Sequence, residues 1–137
     1  MKITFSGENT EENPIPVADA YLCIDCADTH PAKHGDLFFN IHFDDLWPST
    51  VERLGWEECM KRKKIFNAEH HKKVRQAFRM MRASGAASLH INCQAGISRS
   101  AAMRVMAELY FNYTEPTLED FKKVVEETKA GVGRVPR

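Results

Sequence analysis

The pattern of apolar and polar positions divides the chain into short strands that alternate with amphipathic helices. Short apolar runs bounded by turn residues are typical of β-strands. These runs lie at 1–5, 20–24, 37–43 and 87–92. Behind Asn67 and behind Ser98, apolar residues recur at helical spacing. The alternation predicts an α/β fold: a single domain over 1–137 with a central, mainly parallel sheet flanked by helices.

The predicted helices differ in how clearly their ends are marked. Asn67 is a good N-cap and Gly85 a typical helix stop, and between them lies an apolar face. That face consists of Val74, Ala77, Phe78 and Met81. The helix behind Ser98 has a broader predicted stripe of Ala101, Ala102, Val105, Met106, Leu109 and Tyr110. A third helix is predicted to open at Pro116-Thr117 with a cap from Asp120, and to bury Leu118, Phe121, Val124 and Val125.

The composition and charge of the chain limit the classes of protein to which it can belong. A chain of 137 residues with 43% hydrophobic and 28% charged residues is long and apolar enough to fold around one core. The formal net charge is zero, so bulk electrostatics indicates neither a nucleic-acid partner nor a membrane surface as partner. No apolar run has the length of a membrane span and the N-terminus has no signal-peptide core. We therefore expect a cytoplasmic protein with four free thiols; no oligomeric state is indicated.

The segment from Lys61 to Arg82 is strongly basic, with Glu69 as its one acidic residue. Such a segment is either a solvated helix face or a surface that attracts anionic ligands. Residues 50–66, which include the start of this basic segment, form the least regular stretch of the sequence.

The connection between the last predicted strand and the helix behind Ser98 carries the residues best suited to chemistry. A strand, a tight loop and a helix start form an anion site, because loop amides converge and the helix N-terminus adds positive potential. That potential favours the thiolate of Cys93, the nucleophilic form of cysteine. Arg99 offers a planar fork of donors that fits two phosphate oxygens, and Ser100 can hydrogen-bond the thiolate. The connection reads Asn92-Cys93-Gln94-Ala95-Gly96-Ile97-Ser98-Arg99-Ser100.

The string CQAGISRSAA resembles the signature loop of the protein-tyrosine phosphatase superfamily. Its Ser98-Arg99-Ser100 ending is similar to the dual-specificity branch, and the small size resembles the compact bacterial-type relatives. The resemblance is close over this string and only architectural from Phe39 to Tyr110. It implies a phosphatase-type phosphate-binding loop and an enzyme that hydrolyses phosphotyrosine, with phosphoserine and phosphothreonine as further candidates. The implied partner is a phosphorylated protein or a small phosphomonoester.

The resemblance also implies a two-step reaction with no metal or other cofactor. Cys93 attacks phosphorus to form a phosphocysteine, an aspartic acid protonates the leaving oxygen, and water then releases phosphate. Backbone amides of the loop would hold the phosphate oxygens. They belong to Gln94, Ala95, Gly96, Ile97, Ser98 and Arg99.

The family keeps its general acid in a loop behind an upstream strand, and Asp44 and Asp45 follow such a strand here. Asp45 is preferred because Asp-Leu is similar to the Asp-Ile of the compact relatives, and Asp44 is the alternative acid. A strand-end turn is the competing interpretation of both. The stretch of sequence between this pair and Cys93 is longer than in compact relatives, and we interpret residues 50–66 as an insertion.

One position departs from the family pattern: Asn92 stands where the family usually has histidine. We therefore expect slower turnover or, in the extreme, a catalytically weak or inactive module that binds phospho-ligands. His90 is expected to share the face of Asn92 without replacing that histidine. A third hypothesis, a sulfur- or arsenate-handling enzyme, requires for arsenate reduction a resolving cysteine near Cys93.

Cys23 and Cys26, followed by His30 and His34, have a spacing similar to a zinc site. Since Cys23 falls inside a predicted strand, two buried thiols are the preferred interpretation. A disulfide between Cys93 and another cysteine is a further hypothesis, and the sequence does not identify the partner.

Overall fold

Four parallel strands form the centre of the molecule in this computed structural model, which describes residues 1–44, 52–62, 66–94, 98–120, 122–124 and 126. The strands are β1 (Lys2–Ser6), β2 (Ala20–Ile24), β3 (Phe38–Ile41) and β4 (Ser88–Cys93). Their order in the sheet is β1-β4-β2-β3, and every neighbouring pair is parallel. The predicted α/β class is confirmed, and all four described strands of the sheet are parallel.

The helices follow the predicted order. They are α1 (Trp56–Arg62), α2 (Ala68–Ala83) and α3 (Ser98–Asn112), and a 3-10 turn covers Ala27–Thr29. Residues 118–120, 122–124 and 126 are also helical. The segment interpreted as an insertion contains α1 and a helical turn at 52–54. Within the part of the chain that the structure describes, no helix has the length and apolar character needed to cross a membrane.

Helix α2 begins and ends where its sequence signals predict. Asn67 Oδ1 accepts hydrogen bonds from the backbone N–H groups of Glu69 (2.9 Å) and His70 (3.3 Å). His70 Nδ1 in turn accepts from the Asn67 N–H at 3.0 Å, so histidine completes the capping box that Glu or Gln usually forms. Gly85, with φ of 73°, takes the left-handed conformation just beyond the helix.

One face of the sheet packs against α2 and α3. Strand residues at alternate positions point to this face and join one hydrophobic cluster, in which Cys93 lies at the end of β4. The predicted buried face of α2 is confirmed in full, and its basic residues Lys72, Lys73, Arg75 and Arg79 are exposed. This part of the basic segment therefore lies on a solvent-exposed face of α2.

Two predicted apolar faces are only partly correct. In α3, Ala101 is buried as predicted but Ala102 is exposed, and Met103 and Ala107 are buried instead. The helix that begins after Thr117 buries Val124, whereas Leu118 is 68% exposed. Thr117 and Asp120 exchange reciprocal capping hydrogen bonds, as predicted. Phe121 and Val125 lie outside the described residues.

The opposite side of the sheet, which we term the loop-covered face, carries a buried polar layer. Its members on the central strands are Cys23, His90 and Asn92, none more than 1% exposed. Cys26 and His30, from the connection that contains the 3-10 turn, are also buried here. The ring of His30 packs against Tyr21 and Phe38, with centroid distances of 4.8 and 4.7 Å. This layer lies directly behind the Cys93 end of β4.

Candidate active site

Cys93 is the last residue of β4 and is fully buried. Its Sγ donates to Ser100 Oγ at 3.4 Å, and Ser100 Oγ donates to the carbonyl of Ser6 at 3.0 Å. Ser6 ends β1 and Ser100 lies in the first turn of α3, so two strand ends and a helix start meet at the thiol. The structure therefore brings together the predicted nucleophile and the predicted hydroxyl partner.

The hydroxyl of Ser100 carries one proton, which is donated to Ser6. In this arrangement the sulfur of Cys93 is a thiol that donates to Ser100. A thiolate at Cys93 would require the Ser100 proton to rotate from the Ser6 carbonyl to the sulfur. The Ser100 hydroxyl can thus either accept from Cys93 or donate to it, depending on its rotation.

Arg99 folds back from the start of α3 and is held by two acceptors. Its Nη1 donates to Asp25 Oδ2 at 2.8 Å and to the carbonyl of Phe43 at 2.7 Å. The side chain is only 11% exposed. Its Nε is buried and has no partner among the described residues. Because Nη1 is anchored, the Nε edge of the guanidinium is the part left to bind an anion.

Asp25 is a site residue that the sequence analysis missed. It directly follows β2 and has a φ of 57°, which is rare for a residue other than glycine. Its other carboxylate oxygen, Oδ1, accepts from His42 Nδ1. Its position immediately behind a strand was the available signal, but that signal becomes specific only once β2 is known to pair with β4.

Of the two candidate general acids, Asp44 is among the described residues and Asp45 is not. Asp44 is half-buried and directly follows Phe43, whose carbonyl contacts Arg99. Asp45, the preferred acid, lies outside the described residues, as do Ala95, Gly96 and Ile97 of the predicted phosphate loop. Gln94 is exposed immediately behind Cys93. The chain that leaves β3 thus passes beside Arg99 just before the acidic pair.

Asn92 points away from the Cys93 thiol, to the loop-covered face. Its side chain is fully buried, and Nδ2 donates to Cys26 Sγ at 2.9 Å. Its Oδ1 is buried with no partner among the described residues. Asn92 therefore connects β4, the strand that ends in the predicted nucleophile, to Cys26.

His90 shares the face of Asn92, as expected from strand alternation. Its Nδ1 bonds to Thr4 Oγ1 and its Nε2 to Ser6 Oγ, both at 2.7 Å. Burial, with a smaller contribution from His30, lowers the pKa of His90 to about 4. Burial also lowers the pKa of His30. Both histidines are therefore neutral near pH 7, and neither supplies a positive charge to Cys93.

Cys23 and Cys26 are buried free thiols whose Sγ atoms lie 3.0 Å apart. The hydrogen bond from Cys26 lowers the pKa of Cys23, and the same bond raises the pKa of Cys26. His30 Nδ1 accepts from the Ala32 N–H, and its Nε2 is buried with no hydrogen-bond partner among the described residues. Across the described ranges, no group of three or more His, Cys, Asp or Glu side chains is arranged to hold a metal ion.

Comparison with protein-family models, with curated proteins and with solved structures finds no match for this chain.

Proposed function

We propose that this protein is a cysteine-dependent phosphatase that hydrolyses phosphotyrosine, and also phosphoserine or phosphothreonine, through a phosphocysteine intermediate on Cys93. The observation that carries the proposal is the convergence of Cys93, Ser100 and Arg99 where β4 passes into α3. A thiol at a strand end, an arginine held at the end of the neighbouring strand β2 and a helix N-terminus are parts of which a phosphate site can be built.

The arrangement of Arg99 supports an anionic substrate. A guanidinium anchored through Nη1 has a fixed orientation, so less entropy is lost when its free edge binds two phosphate oxygens. One negative charge from Asp25 leaves the cluster close to neutral when His42 is uncharged. A phosphoryl group would then meet the dipole of α3 and the remaining donors of Arg99.

The proposed reaction assigns a separate role to each group. Cys93 attacks phosphorus in line with the leaving oxygen, which Asp45, or alternatively Asp44, protonates. The phosphoryl group on sulfur is then transferred to water, and Ser100 stabilises the departing thiolate.

Hydrolysis of p-nitrophenyl phosphate between about pH 5 and pH 8 tests this proposal. Wild type is compared with Cys93→Ser, Arg99→Lys, Asp45→Asn and Asp44→Asn, and the exposed Asp28→Asn serves as a matched control. We expect activity to disappear in Cys93→Ser and to fall about a hundredfold or more in Arg99→Lys, because lysine cannot form the bidentate contact. Only one of the two Asp variants at the acidic pair should lose activity, most strongly at low pH where the wild-type acid is protonated, and its pH profile should lose the alkaline fall.

The alternative is a phospho-ligand binding module on the same fold, and Asn92 is the observation that favours it. A neutral side chain bonded to Cys26 leaves no positive charge next to the nucleophile. Wild-type protein that binds orthophosphate, but releases no p-nitrophenol, would support the module and contradict the enzyme. Loss of phosphate binding in Arg99→Lys would then locate the ligand at this arginine.

A further inference from the structure

The loop-covered face holds a pair of thiols that the proposed phosphatase reaction does not use. Cys23 and Cys26 have their Sγ atoms 3.0 Å apart, and the side chains are 0% and 6% exposed. A disulfide requires a separation of about 2.05 Å, so the sulfurs must approach by about 1 Å. Two free thiols at this distance are within reach of a bond without a rearrangement of the sheet.

The backbone between the two cysteines accounts for their proximity. Cys23 lies inside β2, where its side chain points to the loop-covered face. Asp25 follows with a φ of 57° and turns the chain, and Cys26 begins the 3-10 turn with a φ of −142°. The left-handed residue brings Cys26 back under Cys23. The conformation that aims Asp25 at Arg99 therefore also forms the thiol pair.

Cys93 is placed differently from this pair. Its neighbour in β2 is Ile24, and both side chains belong to the cluster on the helix-packed face. Cys23 pairs with Asn92 on the opposite face. Since the sheet separates the sulfur of Cys93 from that of Cys23, the geometry favours a bond within the pair over a bond to the nucleophile.

The surroundings of the pair favour its oxidation. Asn92 Nδ2 donates to Cys26 Sγ at 2.9 Å, and this sulfur lies 3.0 Å from that of Cys23. The hydrogen bond from Cys26 lowers the pKa of Cys23, and this favours the thiolate form of Cys23. A thiolate with a thiol in contact is the arrangement that forms a disulfide after oxidation of one sulfur.

We propose that Cys23 and Cys26 are a redox-active dithiol that hydrogen peroxide converts to an intramolecular disulfide, and that this change is transmitted to the phosphate site through Asn92. The thiolate of the pair attacks one peroxide oxygen, which gives a sulfenic acid and hydroxide. The second sulfur then displaces hydroxide from the sulfenic sulfur and forms the S–S bond. In sum, two thiols and one peroxide give one disulfide and two waters, and two electrons pass from sulfur to peroxide.

The link to the site is the amide of Asn92. A disulfide sulfur is a poorer acceptor than a thiolate or thiol and moves toward Cys23, so the Asn92–Cys26 hydrogen bond weakens. Asn92 Oδ1 already has no partner among the described residues, so the oxidised form leaves this buried amide poorly satisfied. Asn92 directly precedes Cys93, and its displacement shifts the start of the loop.

The distribution of lysine and arginine makes the disulfide directly observable in wild-type protein. Trypsin releases both cysteines of the pair in one peptide, 3–33, whereas Cys59 falls in 54–61 and Cys93 in 83–99. After peroxide treatment, alkylation under denaturing conditions and digestion, we expect peptide 3–33 unalkylated and lighter by two hydrogen atoms. Dithiothreitol before alkylation should restore the doubly alkylated form. Peptide 3–33 cross-linked to 83–99, or still doubly alkylated while 83–99 is oxidised, would contradict the proposal.

Two cysteine variants test which sulfurs form the disulfide. Cys26→Ala should abolish the lighter peptide, and Cys59→Ala, which removes another fully buried thiol, should leave it unchanged. If Cys26→Ala does not fold, the wild-type digest alone decides whether the disulfide forms.

The expected effect of the disulfide on the phosphate site rests on the proposed function, so a separate measurement tests it. Orthophosphate binding is measured by calorimetry on Cys93→Ser, reduced and peroxide-treated, so that oxidation of Cys93 cannot interfere. We expect severalfold weaker binding in the oxidised form. Equal affinities would overturn the transmission through Asn92. No phosphate binding in either state would contradict the proposed function and the transmission, whereas the disulfide would still be decided by the digest.

Discussion

Arg99 and Asp25 lie 74 residues apart in the chain, and Arg99 Nη1 donates to Asp25 Oδ2 at 2.8 Å. The contact joins the first turn of α3 to the end of β2, two elements that meet because β2 pairs with β4. Asp25 holds its carboxylate there in a left-handed conformation that costs on the order of 1 kcal/mol for a residue other than glycine. Strain of this kind persists where the surrounding contacts offset it, and the contacts of the carboxylate with Arg99 and His42 do so here.

Asp25→Asn should weaken the site without disturbing the turn, because Asn tolerates the left-handed region as well as Asp does. The variant removes the charge of a hydrogen bond worth about 1.5–3 kcal/mol, so we expect orthophosphate affinity to fall about tenfold to a hundredfold. Calorimetry measures the affinity, and Asp28→Asn, exposed in the 3-10 turn, is the control. Wild-type affinity in Asp25→Asn would show that Phe43 alone orients Arg99.

Ser100→Ala should slow the second step of the proposed reaction more than the first. Without the hydroxyl, the thiolate of Cys93 loses the donor that helps it depart from the phosphoryl group, and the Ser6 carbonyl loses its partner. One lost charge-assisted hydrogen bond predicts a decrease in the rate of phosphocysteine breakdown of about tenfold or more. Rapid mixing with p-nitrophenyl phosphate should show a larger burst before the steady state. Ser84→Ala at the exposed C-cap of α2 should not, and a reduced burst in Ser100→Ala would contradict this role.

The elements that follow from local pattern are predicted well from the sequence. β2 has the predicted bounds of Ala20–Ile24, and α2 has its predicted cap and buried face, because alternation and helical spacing are properties of neighbouring residues. The stripe of α3 is less well predicted. Small residues such as Ala101 and Ala102 have nearly equal hydrophobicity, so only packing against β1 and β4 decides which is buried.

The candidate site residues also divide into those predicted from a local string and those whose contacts depend on strand order. Cys93, Arg99 and Ser100 are predicted from one short string because they lie close together in the chain, and the structure brings Cys93 and Ser100 into contact. Asp25 is not found, since its role depends on strand order, which pattern alone does not determine. The contact of Asn92 with Cys26 is hidden for the same reason, because it crosses between β4 and the connection behind β2. Asp45 lies outside the described residues, and its role stays a prediction.

Asn92→His restores the residue usual in the resembled family, and we nevertheless expect it to destabilise this protein. Asn92 is fully buried against Cys26, and an imidazole requires more volume than the amide. Overpacking of this kind costs about 1–3 kcal/mol. Urea unfolding measures the loss, with Asn40→His, at an exposed strand position, as the matched control. Unchanged stability together with faster p-nitrophenyl phosphate hydrolysis would show that the site accepts the family's histidine.

Stability should fall in mildly acidic solution because of His90. Its pKa is lowered from 6.5 to about 4 in the folded protein, so between these values the unfolded chain binds a proton that the native protein does not. The contribution is complete above about pH 6.5 and is lost as the pH falls toward 4, and the loss amounts to about 2 kcal/mol at about pH 5. Urea unfolding at about pH 7.5 and pH 5 measures it. His90→Gln should reduce this difference, since glutamine does not titrate, whereas exposed His34→Gln should leave it unchanged. An equal pH dependence in wild type and His90→Gln would assign the loss to other groups.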